Sequence, residues 1–372
     1  MGKSEQERLN RALASHLDSI HETLKALEQT PSNSLEKVSW DEVVKVSEQL
    51  SKQATTVGML WSGEKPGLKA LKESMVSYFN VLQVLLLLAY GSTVGAGPTL
   101  SSNVHTAVKQ VVDSSFMLWR ESVSSYGSSS LQKLQIPQVV GTVWDACSAM
   151  RKTPSTNITA IGRAITQVAI SVKDVLREMK ELKLYSSDSA DVADGSSSKP
   201  SKQSDDGDDD SSLEDIGNDL SPEEMKIAQL VTRVVSDLLV VIKELIRSIT
   251  GLLKQANISD DGSCVESLEK LLKLCRGAGV EVDELGASLY PPQELPVILA
   301  ASDKISDMIK EMELELDTIK GSTTAFSQAC LTLKWALDEL KSQVSIESVH
   351  DETQSSRSVE LIQKMQDLTV AN

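Results

Sequence analysis

The chain has 372 residues, of which 40% are hydrophobic and 3% aromatic, and a formal net charge of −16. This length predicts two domains, and the scarcity of aromatic residues predicts cores built from aliphatic side chains. The acidic charge excludes a general, direct nucleic-acid binder, because phosphate is repelled by such a field. None of the four cysteines forms a C-x-x-C pair, which predicts buried free thiols rather than a zinc or disulfide site: Cys147, Cys264, Cys275 and Cys330.

The first half of the chain has the apolar spacing of amphipathic helices. Ser4 with Glu7 forms a capping box before a leucine stripe of roughly 24 residues, and Ser39 with Glu42 repeats it before the second helix. The third helix contains the most apolar run, which is too short to span a membrane and predicts a central bundle helix. Further helices are predicted after Pro98, over Leu131–Met150 with Pro137 at its true start or at a kink, and over Thr156–Leu182. We therefore expect a helical bundle over residues 1–185 and no transmembrane segment.

Residues 186–220 differ from both halves, because they are mainly serine, glycine and acid. Eleven acidic residues face two lysines, so −9 of the net charge lies here. With almost nothing apolar to bury, the segment is expected to be a disordered acidic linker. It has two candidate roles, a solvated spacer between domains, which we favour, and a regulatory segment. Ser211 and Ser212 are candidate phosphorylation sites because Glu214 and Asp215 stand three residues after them.

The second half opens on Ser221-Pro222-Glu223-Glu224, which places an N-cap, a proline and two acids at the start of a helix of about 30 residues. The next helix is expected to stop at Gly277 and Gly279, before a separate short helix over Val282–Leu289. Two more helices are predicted over Leu295–Ile319 and Phe326–Val344. These segments predict a second bundle over residues 221–345, followed by a loosely ordered tail over 346–372. No strand pattern occurs anywhere.

No arrangement typical of an active site occurs in the sequence. His16 and His21 are five residues apart, which does not stack them as a metal-binding pair on one helix face. Walker, G-x-G-x-x-G, H-E-x-x-H and G-x-S-x-G patterns are missing. We predict a protein that is not an enzyme, with no catalytic, cofactor-binding or metal-binding residues and no cofactor. The leucine stripes fit either a zipper for a partner or the core of a bundle; the second is favoured because every helix has one.

Three blocks of the sequence resemble the cyclin-D-binding protein family, also called GCIP or the human homologue of Maid. They are Ser51–Val57, Val143-Trp144-Asp145-Ala146-Cys147, and Val282-Asp283-Glu284-Leu285 followed by Ala287-Ser288-Leu289-Tyr290-Pro291-Pro292. From the residues themselves, Trp144 and Cys147 are expected in a core, because they are three apart on one helix face. Thr55 and Thr56 are expected to bridge helices, and Tyr290 is a candidate surface anchor for a partner.

The resemblance implies an all-helical, two-lobed protein of the vinculin and talin type. It also implies binding to a D-type cyclin or a helix-loop-helix transcription factor, negative regulation of the cell cycle, and a location in the cytoplasm and nucleus. The alternative is a structural adaptor that links cytoskeletal or signalling partners. Exposed basic residues on the second bundle would favour the adaptor, and Arg233, Lys243 and Arg247 are its sparse candidates.

Overall fold

The computed structural model describes residues 2–27, 29, 35–63, 65–127, 135–184, 219–253 and 262–346. Helices account for most of these residues, which confirms the predicted all-α class. They are α1 (Gly2–Ala26), α2 (Trp40–Leu60), α3 (Leu68–Ser92), α4 (Pro98–Gly127), α5 (Ile136–Met150), α6 (Asn157–Met179), α7 (Pro222–Leu252), α8 (Gly262–Ala287), α9 (Leu295–Thr318) and α10 (residues 324–346). The strands in this part of the chain have two residues each: β1 (Lys183–Leu184) pairs in parallel with β2 (Asp219–Leu220).

Contacts between Cα atoms divide the chain into two compact units. Unit 1 is Met1–Arg163 with Leu252–Glu269, and unit 2 is Ala164–Gly251 with Lys270–Asn372. The units interleave along the sequence, whereas the predicted domains are consecutive. A compact unit need not fold alone, so these units do not test the predicted domain boundaries. The boundaries stay a prediction, which limited proteolysis can test. The predicted linker and tail fall largely on residues 185–218 and 347–372, which lie outside the described residues.

Unit 1 contains a bundle of five helices, α1 to α5. α1 contacts α3 and α4, α2 contacts α3 and α5, and α4 contacts α5, so the helices close a ring around one core. The pairs α2–α5 and α1–α4 run antiparallel. Glu48 in the first half of α2 forms an ion pair with Arg151, directly after α5. Tyr126 near the end of α4 donates a hydrogen bond to Glu5 near the start of α1, at 3.4 Å.

α3 is the most apolar helix of this bundle. Its buried side chains face α1, α2 and α4, and include Leu71, Met75, Tyr78, Phe79, Leu82, Leu85 and Leu86. Among the described helices, α3 alone is long and apolar enough to cross a membrane, judged by length and composition. The core helix of a soluble protein meets the same two criteria, so they do not distinguish the two cases. Its contacts confirm the predicted place of this apolar run in a bundle.

Unit 2 contains a second antiparallel bundle, formed by α7, α9, α10 and most of α6 and α8. Cross-helix ion pairs give the directions of neighbouring helices. In the α8–α9 pair, Lys270 contacts Glu315 at 2.6 Å while Glu281 contacts Lys304 at 3.1 Å, so the two chains run in opposite directions. α7 and α10 are joined by the Arg233–Glu339 ion pair at 2.7 Å. The prediction of two antiparallel bundles is therefore confirmed.

α8 is one continuous helix, so the predicted stop at Gly277 and Gly279 is wrong. Both glycines lie inside the helix where neighbours approach closely. A Cβ atom at Gly277 would lie 2.8 Å from the Met308 Sδ atom of α9, and one at Gly279 would lie 3.1 Å from a methyl carbon of Val168 on α6. The glycines make room for these neighbours, and a glycine kept for close packing looks the same in sequence as one that ends a helix.

Most of the predicted helix starts are confirmed. The exception is α1, which begins at Gly2 and therefore contains Ser4, the residue predicted to cap it. At α7, the Ser221 Oγ atom accepts from the Glu224 N–H at 3.2 Å, and the Glu224 carboxylate accepts from the Ser221 N–H at 2.9 Å, which is a complete capping box. Ser39 caps α2 through a bond from the Asp41 N–H. α5 begins at Ile136 with Pro137 in its first turn, so the proline marks the true start.

Candidate interaction surfaces

Tyr290, the candidate partner contact, follows α8 in unit 2 and is 45% exposed. It borders a groove of about 290 Å³ between α6 and α8. The lining combines apolar side chains with two acids: Val175, Met179, Leu182, Gly286, Ala287, Glu178 and Asp283. A Cβ atom at Gly286 would lie 3.0 Å from a methyl carbon of Val175, so this glycine permits the two helices to approach. A tyrosine beside such a groove can bury its ring against a partner while its hydroxyl stays in water. Contact with a partner stays a prediction.

The two candidate phosphorylation sites, Ser211 and Ser212, lie outside the described residues. Their acidic neighbours Glu214 and Asp215 do so as well. Phosphorylation at these serines is therefore carried forward as a proposal that rests on the sequence.

Trp144 is on the surface of unit 1, which contradicts the prediction that it lies in a core. Its side chain is 44% exposed, and its indole Nε1–H donates to the Thr55 Oγ1 atom of α2 at 3.0 Å. Cys147 is buried, as predicted. The buried face of α5 runs through Val143, Cys147 and Met150, and Trp144 stands one residue beyond this row. At 100° per residue, that step turns the indole from the core to the edge of the helix.

The two threonines near Trp144 make different hydrogen bonds. Thr55 joins two helices, as predicted, because it accepts the indole hydrogen bond while donating to the Ser51 carbonyl. Thr56 does not bridge helices through the bonds observed; its hydroxyl donates to the Lys52 carbonyl of its own helix at 3.1 Å. Met59, one turn further along α2, is 68% exposed, so α2 and α5 present apolar surface at this edge of unit 1.

Unit 2 exposes a second tryptophan that the sequence analysis did not single out. Trp335 on α10 is 76% exposed, and Leu331, one turn before it, is 50% exposed. Leu314 on the neighbouring helix α9 is 68% exposed. The spacing of apolar residues in the sequence indicates that Trp335 is exposed. One apolar stripe at helical spacing forms the buried face of α10 and leaves Trp335 on the opposite face: Phe326, Cys330, Leu333, Leu337, Leu340 and Val344.

The helices that carry Trp335 and Leu314 are acidic. α9 and α10 contain eight aspartates and glutamates and four lysines. Each lysine is in an ion pair within unit 2: Lys304–Glu281, Lys310–Asp307, Lys334–Glu313 and Lys341–Asp303. The hydrogen bond from Lys310 holds the pKa of Asp307 below its usual value. Lys270 of α8 pairs with Glu311 and Glu315, and Arg233 of α7 pairs with Glu339. Asp317 and Asp338 are the two acids of α9 and α10 outside these ion pairs, and they leave a modest negative field over this face.

The cysteines and His16 pack against neighbouring side chains. All four cysteines are buried and free, which confirms that prediction. Burial raises the pKa of Cys147, Cys275 and Cys330 to about 12, so these thiols stay protonated at neutral pH and are weak nucleophiles and metal ligands. His16 stacks on Phe79 with ring centroids 4.9 Å apart, and burial lowers its pKa.

Comparison with known proteins places these features in a family. The model described as "Grap2 and cyclin-D-interacting, N-terminal" matches residues 42–184, and its C-terminal counterpart matches residues 204–314. The chain belongs to this family. A cyclin-D1-binding protein 1 homolog from Xenopus laevis is 24% identical over 278 residues, which cover 73% of this chain and 78% of the relative. The resemblance seen in the sequence is thus confirmed, and a role in protein interaction follows from it.

Most of the residues that form these surfaces lie within the family match, and Trp335 lies beyond it. Trp144 and Thr55 lie within the residues matched by the N-terminal model, and Tyr290 and Leu314 lie within those matched by the C-terminal model. Residues 324–346, which form α10, lie beyond both matches. Trp335 is therefore a feature of this chain that the family match does not reach.

Proposed function

We propose that this protein is a non-enzymatic regulator that binds a D-type cyclin and restrains progression through the cell cycle. The observation that carries the proposal is the family match, together with a relative named as a cyclin-D1-binding protein. The buried, protonated thiols are in keeping with a protein that works through its surfaces.

The proposed mode of binding is contact of a cyclin with an exposed bundle face or with a groove between helices. Tyr290 is the proposed contact residue, because its ring is half exposed beside the apolar groove of α6 and α8. A helix-loop-helix transcription factor is the second proposed partner, since its helices could occupy the same kind of groove. The proposed location, the cytoplasm and nucleus, rests on the family resemblance alone.

Phosphorylation at Ser211 and Ser212 is proposed as the regulatory alternative to the favoured role of residues 186–220 as a spacer. An acid-directed kinase would add about −1.5 to −2 charges at each of Ser211 and Ser212, in a segment that is already strongly acidic. Phosphopeptide mass spectrometry after treatment of the whole chain with such a kinase tests the sites. Ser211→Ala with Ser212→Ala should remove the signal, and an unchanged signal in this variant would move the modification elsewhere.

A structural adaptor of the vinculin and talin type is the second candidate, because both units contain antiparallel helix bundles. The basic residues that would favour it are largely neutralised within unit 2. Arg233 forms an ion pair with Glu339, and Arg247 with Glu244. These pairs weaken the case for a basic face, so the regulator is the better supported of the two. Co-sedimentation of the whole chain with actin filaments tests the adaptor.

Isothermal titration of the whole chain with a purified D-type cyclin from the same organism tests the main proposal. We expect saturable one-to-one binding with a dissociation constant in the micromolar range or tighter. A Tyr290→Ala variant should bind at least several-fold more weakly, since tyrosine is enriched among residues that dominate interface energies. The absence of heat at high concentration, with both proteins shown to be folded by circular dichroism, would remove the cyclin from the account.

A further inference from the structure

The most exposed large apolar side chains of unit 2 include three from two adjacent helices. We call Leu314 of α9 with Leu331 and Trp335 of α10 the Trp335 surface; they are 68%, 50% and 76% exposed. The ion pairs Glu313–Lys334, at 2.5 Å, and Asp303–Lys341, at 2.7 Å, set the register of the two helices. Because Leu314 follows Glu313 and Leu331 lies one turn before Lys334, the register brings the two leucines to the same level.

The core of unit 2 does not need these side chains. The residues of α10 that face the core include Phe326, Cys330, Leu333, Leu337, Leu340 and Val344. On α9 the buried residues include Ile305, Ile309, Met312 and Leu316. A tryptophan held outside this core leaves on the order of 150–250 Å² of apolar area available to a partner. Tryptophan is also enriched among the residues that dominate interface energies, and leucines around it can exclude water.

The charges around the surface select the partner. The four lysines of α9 and α10 are engaged in ion pairs, and so are six of the eight acids, which leaves Asp317 and Asp338 outside the pairs. Asp338 stands about one turn after Trp335 on α10, whereas Glu339 beside it is paired with Arg233. A partner with positive side chains flanking an apolar stripe would gain favourable electrostatics, and arginine or lysine could also lie over the indole face.

We propose that the Trp335 surface docks an amphipathic helix whose apolar stripe is flanked by lysine or arginine, supplied by a partner protein. Two adjacent antiparallel helices leave a shallow groove between them in which a third helix can lie. Leu331 and Trp335 are four residues apart, so their spacing of one turn matches the spacing of apolar side chains on a helical partner. The inference goes beyond the proposed function, because its two α10 residues lie beyond the family match and it holds whether or not the partner is a cyclin.

A second copy of this chain is a poorer occupant on the same evidence. An isologous contact would place the acidic rim of one copy against the acidic rim of the other, and each whole chain carries −16. Like charges brought together at an interface cost affinity. A partner of opposite charge avoids this cost, so the proposal commits to a basic helix.

Two synthetic peptides of 21 residues test the proposal with the whole chain. One has leucines at helical a and d positions with lysines elsewhere, and the other has the same leucines with glutamates. We expect the leucine–lysine peptide to bind one-to-one in calorimetry, with a blue shift of tryptophan fluorescence, and the leucine–glutamate peptide not to bind. A Leu331→Ser, Trp335→Ser variant, which keeps every charge, should bind the first peptide at least tenfold more weakly.

A matched control separates the surface from general attraction between a basic peptide and an acidic protein. Trp144→Ser with Val280→Ser also removes one exposed tryptophan and one exposed aliphatic side chain, from α5 and α8. Its affinity for the leucine–lysine peptide should stay within about twofold of the wild type. Asp317→Asn with Asp338→Asn should weaken binding several-fold and reduce its salt dependence.

Three outcomes would overturn the proposal. If both serine variants bind the leucine–lysine peptide equally weakly, or if neither binds it more weakly than the wild type, the peptide is held by charge alone or at another place. Binding of the glutamate peptide as tightly as the lysine peptide would remove the charge argument. A wild-type dimer in sedimentation that the Leu331→Ser, Trp335→Ser variant converts to monomer would assign the surface to a second copy. None of these results depends on cyclin binding, so failure here is distinct from failure of the proposed function.

Discussion

Trp144 donates its indole hydrogen to the Thr55 hydroxyl across the boundary between α5 and α2, at 3.0 Å. Both residues come from blocks that resemble the family, and they meet although 89 positions separate them in the chain. The bond holds a half-exposed tryptophan against α2 instead of leaving it free to turn. A side chain fixed in this way loses less entropy when a partner covers it.

A double-mutant cycle should measure this bond. We expect Thr55→Val and Trp144→Phe to show an interaction free energy of about 1 kcal/mol or less, as for a neutral hydrogen bond near the surface. Urea unfolding of the four proteins gives the free energies. Thr56→Val is the control, because Thr56 bonds only within its own helix among the contacts observed, and its cycle with Trp144→Phe should give no coupling. Coupling of equal size in both cycles would refute the assignment.

Gly91→Ala should destabilise unit 1, although alanine is the better helix former. A Cβ atom at Gly91 would lie 2.5 Å from a methyl carbon of Val38, a stiff β-branched side chain. Overpacking of this kind costs about 1–3 kcal/mol, against roughly 1 kcal/mol gained in helix propensity. Gly141→Ala on α5 is the matched control: nothing lies within 4 Å of its Cβ position, so it should stabilise by up to ~1 kcal/mol. Thermal unfolding compares the two, and a higher melting temperature for Gly91→Ala would contradict the packing.

Ser221→Ala should destabilise the start of α7 by about 1 kcal/mol, since it leaves the Glu224 N–H without its cap. Glu224→Ala should have a smaller effect, because it removes only the reciprocal bond to the Ser221 N–H. Ser327→Ala, at an exposed position of α10, serves as the control and should change stability by less than about 0.5 kcal/mol. Denaturant unfolding followed by circular dichroism gives all three values. An effect at Ser221 no larger than that at Ser327 would argue against the capping box.

Stability should fall as the pH rises above about 9. Burial raises the pKa of Cys147, Cys275 and Cys330 from 9.0 to about 12, so in this range unfolded thiols ionise while folded ones keep their protons. The unfolded state then binds fewer protons, and the free energy of unfolding falls by on the order of 1 kcal/mol per thiol for each pH unit. The contribution is fully present below pH 9 and is lost as the pH approaches 12. Urea midpoints at pH 7.5, 9 and 10 measure the slope.

A Cys147→Ala, Cys275→Ala, Cys330→Ala variant is the control for this slope. It will be less stable at neutral pH because of the cavities, but its stability should fall less steeply above pH 9. The same burial predicts that a thiol reagent reacts slowly with the folded protein and rapidly after unfolding in urea. An unchanged slope in the triple variant would assign the alkaline transition to other groups.

Local signals in the sequence were reliable where their partners lie within one turn. The Ser221–Glu224 capping box and the start of α5 at Pro137 involve residues at most three apart, and both are present as predicted. α3 was placed in a bundle because its apolar run needs cover on several sides. Such features depend on helix geometry alone, which the order of residues specifies directly.

Predictions about neighbours were less reliable. Gly277 was expected to end a helix, but it lies inside α8, where Met308 of α9 takes the space of its missing side chain. Trp144 was expected in a core because of its spacing from Cys147, but two residues on one broad helix face can differ in burial. Neither outcome could be derived without knowing which helix lies beside each face.

The sequence by itself determined that this chain is all-helical, where most of its helices begin, that its thiols are buried, and to which family it belongs. Only the tertiary structure decided that Trp144 is hydrogen-bonded to Thr55 at the surface, and that Trp335 and Leu331 are exposed on a helix adjacent to the one that exposes Leu314. The reason is physical. Periodicity shows that a helix has an apolar face, but burial depends on which helices pack against that face and in what register.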